Sequence, residues 1–129
     1  MKFLLAPMVS FALAGCRTHP AQAPAPAEAA EGERIAVTRW TEKTELFLEY
    51  PPLVAGQRGR FAVHLTNLDT FKPLATGRVT VELRRDDGAA DSYSTDKPSR
   101  PGIFGVDVEP RQAGAPTMFI RVASEGVED

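Results

Sequence analysis

The chain has 129 residues, with 15 Lys and Arg against 17 Asp and Glu and a formal charge of −2. That length holds one domain with a real core, and the near-neutral balance gives no reason to expect nucleic acid or an anionic membrane surface as a partner. The lone cysteine, Cys16, excludes a disulfide within the chain.

The first residues have the order of a targeting signal. Lys2 gives a positive start, Phe3 to Leu13 an apolar run interrupted by Ser10, and Ala14 and Gly15 a small-residue cleavage region. The run is too short to cross a bilayer, which takes roughly 20 apolar residues. The tetrapeptide Leu13-Ala14-Gly15-Cys16 resembles the lipobox of bacterial lipoproteins. The resemblance implies that Cys16 takes a diacylglyceryl group, that the chain is cut before it, and that residues 1–15 are discarded. Two or three acyl chains, at roughly 0.8 kcal/mol per buried methylene, then anchor the protein without a transmembrane helix. A cysteine buried in a core would not explain this charge–apolar–small order.

Residues 16–33 read as the lipidated Cys and a tether. The run Pro20-Ala21-Gln22-Ala23-Pro24-Ala25-Pro26-Ala27 lacks apolar periodicity and favours extended polyproline II. Such a spacer holds the domain tens of ångströms from the membrane, at about 3 Å per residue.

Residues 34–129 form the domain, and from Ile35 onward the period is two. Ile35 and Val37 alternate with Ala36 and Thr38, and Leu46, Leu48 and Tyr50 with Phe47 and Glu49. The same pattern places Phe61, Val63 and Leu65 on one face, then Val79, Val81 and Leu83, then Phe104, Val106 and Val108, then Met118, Ile120 and Val122. These are six half-buried strands, with a seventh candidate around Ser92 to Thr95. Pro51-Pro52, Asp86-Asp87-Gly88, Pro98 to Gly102 and Pro110 to Pro116 separate them. The spacing predicts an all-β fold, an immunoglobulin-like antiparallel sandwich of two sheets.

The connection Asn67 to Leu74 is not a bare loop, because it carries Leu68, Phe71 and Leu74. It reads as a packed crossover whose apolar trio closes one end of the sandwich. The alternative is an exposed docking patch. Trp40, Phe71 and Phe119 are the residues singled out for interaction.

Chemistry is sparse. Only His19, in the tether, and His64, on a polar strand face, could act as imidazoles. No metal-ligand set, no Ser/His/acid order and no Gly-rich phosphate loop is visible, so neither a catalytic site nor a cofactor is expected. Glu42, Glu45 and Glu49 read as a solvated face, and Arg84-Arg85-Asp86-Asp87 as a charged hairpin end.

One resemblance runs the length of the domain. Val37-Thr38-Arg39-Trp40-Thr41-Glu42-Lys43-Thr44-Glu45-Leu46-Phe47 leads into Glu49-Tyr50-Pro51-Pro52-Leu53-Val54-Ala55-Gly56. Phe61 to Thr66, Phe71-Lys72-Pro73-Leu74, Gly77 to Val81 and Pro98 to Phe104 follow in order. Residues 35–127 thus resemble the N-terminal β-domain of periplasmic adaptor subunits of tripartite RND efflux pumps, in the heavy-metal branch. These subunits are also called membrane fusion proteins.

The resemblance implies a non-enzymatic role in a transport assembly. Adaptors bridge a proton-driven inner-membrane transporter and an outer-membrane channel, and many carry an N-terminal lipid. Full adaptors continue into a helical hairpin, a lipoyl-like domain and further β-domains. This chain stops at Gly126-Val127-Glu128-Asp129, where one more strand is expected. The expectation is therefore a sandwich lacking its last strand, as in a truncated frame, a fragment or a freestanding leading domain. The expected location is the bacterial cell envelope, on its periplasmic side. Arg17 after the Cys, in place of a retaining Asp, favours the outer membrane. Two alternatives stand beside this reading. One is a freestanding immunoglobulin-like lipoprotein that binds a small ligand or cell-envelope partner through Trp40, Phe119 and loop residues. The other is a periplasmic metal chaperone, against which the lack of clustered His, Met and Cys counts.

Overall fold

Alternation in strand β3 (Gly59–Asn67) sends Phe61, Val63 and Leu65 into the core and leaves Ala62, His64 and Thr66 half-buried on the other face. The same two-residue period builds every long strand of the computed structural model, which describes residues 32–129. Cys16, the signal segment and nearly all of the tether lie outside the described residues.

Strands β1 (Ile35–Trp40) and β2 (Thr44–Tyr50) add to one side of β3 as successive antiparallel hairpins. On its other side β3 pairs with β4 (Lys72–Pro73) at its end, and with β7 (Ile103–Val108) along most of its length. The second sheet has the order β6-β5-β8-β9, from β5 (Arg78–Arg84), β6 (Ala90–Thr95), β8 (Thr117–Ser124) and β9 (Val127–Glu128). All pairings are antiparallel, and the crossovers between sheets are those of an immunoglobulin-like sandwich. The expected β6 region is a full strand. Its hairpin with β5 turns at Asp86-Asp87-Gly88, where Gly88 has a φ of 84°.

Between the sheets, Phe61, Val63, Leu65, Phe104, Val106 and Val108 meet Val79, Val81, Leu83 and Val122 in one cluster. The sheets are latched along one side by Tyr93, whose hydroxyl donates to the Glu109 carbonyl.

Two expectations need correction. The trio Leu68, Phe71 and Leu74 does not close the sandwich together. Leu74 is buried and Leu68 half-buried, but Phe71 is 81% exposed. The cause is local. The Asn67 side chain accepts the N–H groups of Asp69 and Thr70, both at 2.9 Å, and the turn ends with Phe71 left-handed at φ 55°. The reversal sends the ring outward before β4 returns the chain to the core at Leu74. The last strand is also not missing altogether. Gly126, at φ 78°, turns the chain so that Val127 and Glu128 pair with Ser124 and Ala123, and Val127 is buried.

Candidate functional site

The two sheets are unequal in width. Strands β1, β2, β3 and β7 lie abreast in the first, whereas the second has β6, β5 and β8 and only the short β9. The core-facing side of β1 is therefore poorly covered. A cleft of about 200 Å³ opens there, floored by Leu46, Leu65, Met118, Ile120 and Val122. Its rim is polar. Arg39 occupies an inward register position on β1, beside Leu46. Thr41, Thr44 and Asp129 close the end. The Asp129 carboxylate accepts the Thr41 hydroxyl at 2.8 Å and also the hydroxyl of Thr44. The backbones of Asp129 and Val122 exchange both hydrogen bonds, at 2.7 and 2.9 Å. The cleft is smaller than the roughly 300–1,000 Å³ of ordinary small-molecule pockets. Its floor is apolar, and its rim carries charges of both signs, the Arg39 guanidinium and the Asp129 carboxylate.

Trp40 and Phe71 stand at one end of the sandwich. Their turns are joined by the Leu68 N–H, which donates to the Lys43 carbonyl at 2.8 Å. Trp40 is 65% exposed on the outer face of the first sheet. Phe119 is on the outer face of the second sheet, 38% exposed, with the Arg84 guanidinium 4.6 Å from its ring centre. Trp40 and Phe119 thus face away from each other and do not form a shared ligand platform, because their register positions point out of opposite sheets.

Phe71 is held in a conformation that costs a bulky L-residue about 1–2 kcal/mol, while its ring contributes little burial. Asn tolerates this region of backbone space. Phe71→Asn should therefore stabilise the domain by about 0.5–1 kcal/mol. Thermal unfolding measures this, and a lower melting temperature would show that the ring packs against something.

A second cluster was not legible in the sequence. Asp91 takes an inward position on β6, with its side chain 4% exposed. It accepts the Arg85 guanidinium at 3.0 Å and the Arg111 N–H at 3.3 Å. Burial pushes its carboxyl up, but the Arg111 N–H and the Arg85 guanidinium together draw it below the ordinary carboxylate value. The cluster ties the β5–β6 hairpin to the loop before β8, a structural task. A carboxyl depressed in the folded state favours folding above its unfolded value, near pH 4, and that contribution fades as pH falls through the lower folded value. Acid unfolding curves of Asp91→Asn should show a smaller fall in stability below about pH 4 than the parent. Parallel curves would mean that other carboxylates govern acid sensitivity.

On the outer face of the first sheet, His64 packs against Phe47, ring centres 5.4 Å apart, with Nε2 3.5 Å from the Glu49 carboxylate. Glu82 is drawn below the ordinary range by Arg84 and, against some desolvation, by Arg121. Among the described residues, no group of three or more His, Cys, Asp or Glu side chains is arranged to hold a metal ion. Scanned against protein-family models, curated proteins and solved structures, the chain matches none.

Proposed function

We propose that the protein is a lipid-anchored periplasmic domain of an RND efflux adaptor, non-enzymatic and acting in the assembly of a tripartite transport complex. The observation that carries this reading is the ordered pattern over residues 35–127, from Val37-Thr38-Arg39-Trp40 to Pro98-Ser99-Arg100-Pro101-Gly102-Ile103-Phe104. An immunoglobulin-like sandwich that displays Trp40 and Phe71 at one end supports it, since exposed aromatic residues are favoured as contact anchors. The anchor is Cys16, and the domain faces the periplasm from the outer membrane. Partners of this kind would be an RND transporter and an outer-membrane channel protein.

Photo-crosslinking in whole cells from positions 40 and 71, read by mass spectrometry, tests the assembly role. Adducts with an RND transporter or its outer-membrane channel are expected. Adducts with neither, in cells that produce both, overturn the reading. The anchor is tested separately. Cys16→Ser should leave an uncleaved or mislocalised precursor, because lipid transfer needs the thiol and lipoprotein cleavage needs the lipid. Fractionation after labelling with a fatty acid is the measurement. Normal processing and equal membrane association of the Ser variant would remove the lipoprotein assignment.

A further inference from the structure

The outer faces of the two sheets carry similar patterns of opposite sign. On β2 the core takes Leu46, Leu48 and Tyr50, so Glu45, Phe47 and Glu49 point out of the first sheet. Phe47 packs against His64, and a carboxylate stands on either side of it along the strand. Among the described residues, no Lys or Arg lies within 4 Å of either carboxylate, and that of Glu49 meets His64 alone. Arg34 reaches the backbone carbonyl of Glu49 instead. The other charges at outward positions of the long strands, Arg60 and Asp107, pair with each other. The first face therefore keeps an excess of negative charge around an aromatic ring.

The second face is its complement. The core takes Val79, Val81 and Leu83 from β5 and Met118, Ile120 and Val122 from β8. Glu82, Arg84, Phe119 and Arg121 therefore point outward. The Arg84 guanidinium covers the Phe119 ring, and Arg84 and Arg121 share the single carboxylate of Glu82. Arg84 Nε lies 3.1 Å from Oε1, and Arg121 Nη2 lies 3.2 Å from Oε2. Arg78, further along β5, is taken by Asp96. Two cations on one anion leave an excess of positive charge around an exposed ring. Successive outward residues of a strand are about 7 Å apart. Phe119 and Arg121 repeat at that spacing on β8, as Phe47 and Glu49 do on β2.

We propose that the outer face of the second sheet in one copy stacks on the outer face of the first sheet in another. Seating Phe119 against Phe47 brings Arg121 and Arg84 within reach of Glu49 and Glu45. The charge pattern commits the surface to a second copy. The two arginines lack a carboxylate beside an aromatic ring at strand spacing, and this chain displays that group on its opposite face. A polyanion fits less well, because Glu82 already neutralises one of the two cations. The two surfaces differ, so the contact is heterologous, and a pair of copies leaves one face of each kind free for further copies. Three strands about 4.8 Å apart and six residues long present only roughly 300 Å² a side. That is well under the roughly 800 Å² a side of a standard stable interface. The contact therefore fills only on the order of hundreds of micromolar. It rests on the two sheet faces and not on the adaptor reading.

The test uses the full chain carrying Cys16→Ser, so that no lipid contributes, from about 20 μM to 1 mM. Sedimentation and amide chemical shifts are recorded across that range. Shifts should move together at Phe47 and Glu49 and at Phe119 and Arg121, while those of the Trp40 and Phe71 turns stay fixed. Arg121→Glu and Glu49→Arg should each weaken association about fivefold, since reversal turns an exposed attraction into a repulsion. Mixing the two variants should restore association, because every face then finds an opposite charge. Unchanged amide patterns at low concentration verify that both variants are folded. Shifts that stay constant to 1 mM overturn the proposal, as do shifts confined to one of the two faces. Association that survives both reversals, or that mixing fails to restore, overturns it as well.

Discussion

Phe61→Ala will be among the most damaging single changes in the domain, costing about 3–5 kcal/mol. Phe61 has no exposed surface, and its ring stacks on that of Tyr50 with centres 4.9 Å apart. It sits on β3, which pairs with β2 and with β7, so the void would open where the first sheet is widest. Domains of this size are stable by only about 5–15 kcal/mol, so the variant should be partly unfolded near body temperature. Phe61→Leu, which refills most of the space, should cost much less, about 1–1.5 kcal/mol. Urea unfolding of both variants beside Phe71→Ala gives an internal scale. Phe71→Ala should stay within about 0.5 kcal/mol of the parent, because its ring is already in solvent. If Phe61→Ala cost no more than Phe71→Ala, the core would not lie where the structure places it.

The contrast between these two phenylalanines shows where sequence reading succeeds and where it stops. Phe61 belongs to a strand whose alternation is unbroken, and period two by itself assigns Phe61, Val63 and Leu65 to one face. The same holds for Val79, Val81 and Leu83 and for Phe104, Val106 and Val108. Phe71 lies in a stretch without a period, where apolar size was the only guide and pointed inward. The signal that decides its fate is Asn67, whose side chain closes a turn on its own backbone. The hairpin into β9 also had a local mark, the Glu125-Gly126 pair between Ser124 and Val127. Asp91 had none. A charged residue at an inward strand position normally argues against burial, and only the approach of Arg85 and Arg111 from other segments makes it tolerable. Arg39 is the same problem at the cleft. Its parity places it inward, but which sheet faces it depends on pairings between distant strands that no local pattern encodes. The unequal widths of the sheets, and hence the cleft, follow from those pairings. The proposed anchor, by contrast, rests on residue order alone, and Cys16 lies outside the described residues.

Gly77→Ala should be the most damaging exchange of one glycine, at about 3–5 kcal/mol, the combined cost of backbone strain and overpacking. Gly77 precedes β5 at a φ of 120°, a region that side chains rarely adopt. An added Cβ would also lie 2.6 Å from the Ala123 carbonyl oxygen and 2.8 Å from the Ser124 Cβ. Neither neighbour can yield freely. Ala123 is paired with Arg78 on one side and Glu128 on the other, and the Ser124 hydroxyl donates to the Thr76 carbonyl at 2.8 Å. Relief must come from moving the end of β8, and with it the β8–β9 hairpin and the Asp129 carboxylate held by Thr41 and Thr44. Gly88→Ala is the control, since Gly88 has a φ of 84° but nothing within 4 Å of an added Cβ. That variant should show strain alone, about 1–2 kcal/mol. Thermal unfolding separates the two, and amide exchange at Val122, whose N–H donates to the Asp129 carbonyl, reports the hairpin directly. Gly77→Ala should speed exchange at Val122 beyond its effect on global stability, whereas Gly88→Ala should not. Equal costs for the two glycines, with Val122 undisturbed, would mean that the contact at β8 relaxes without opening the end of the cleft.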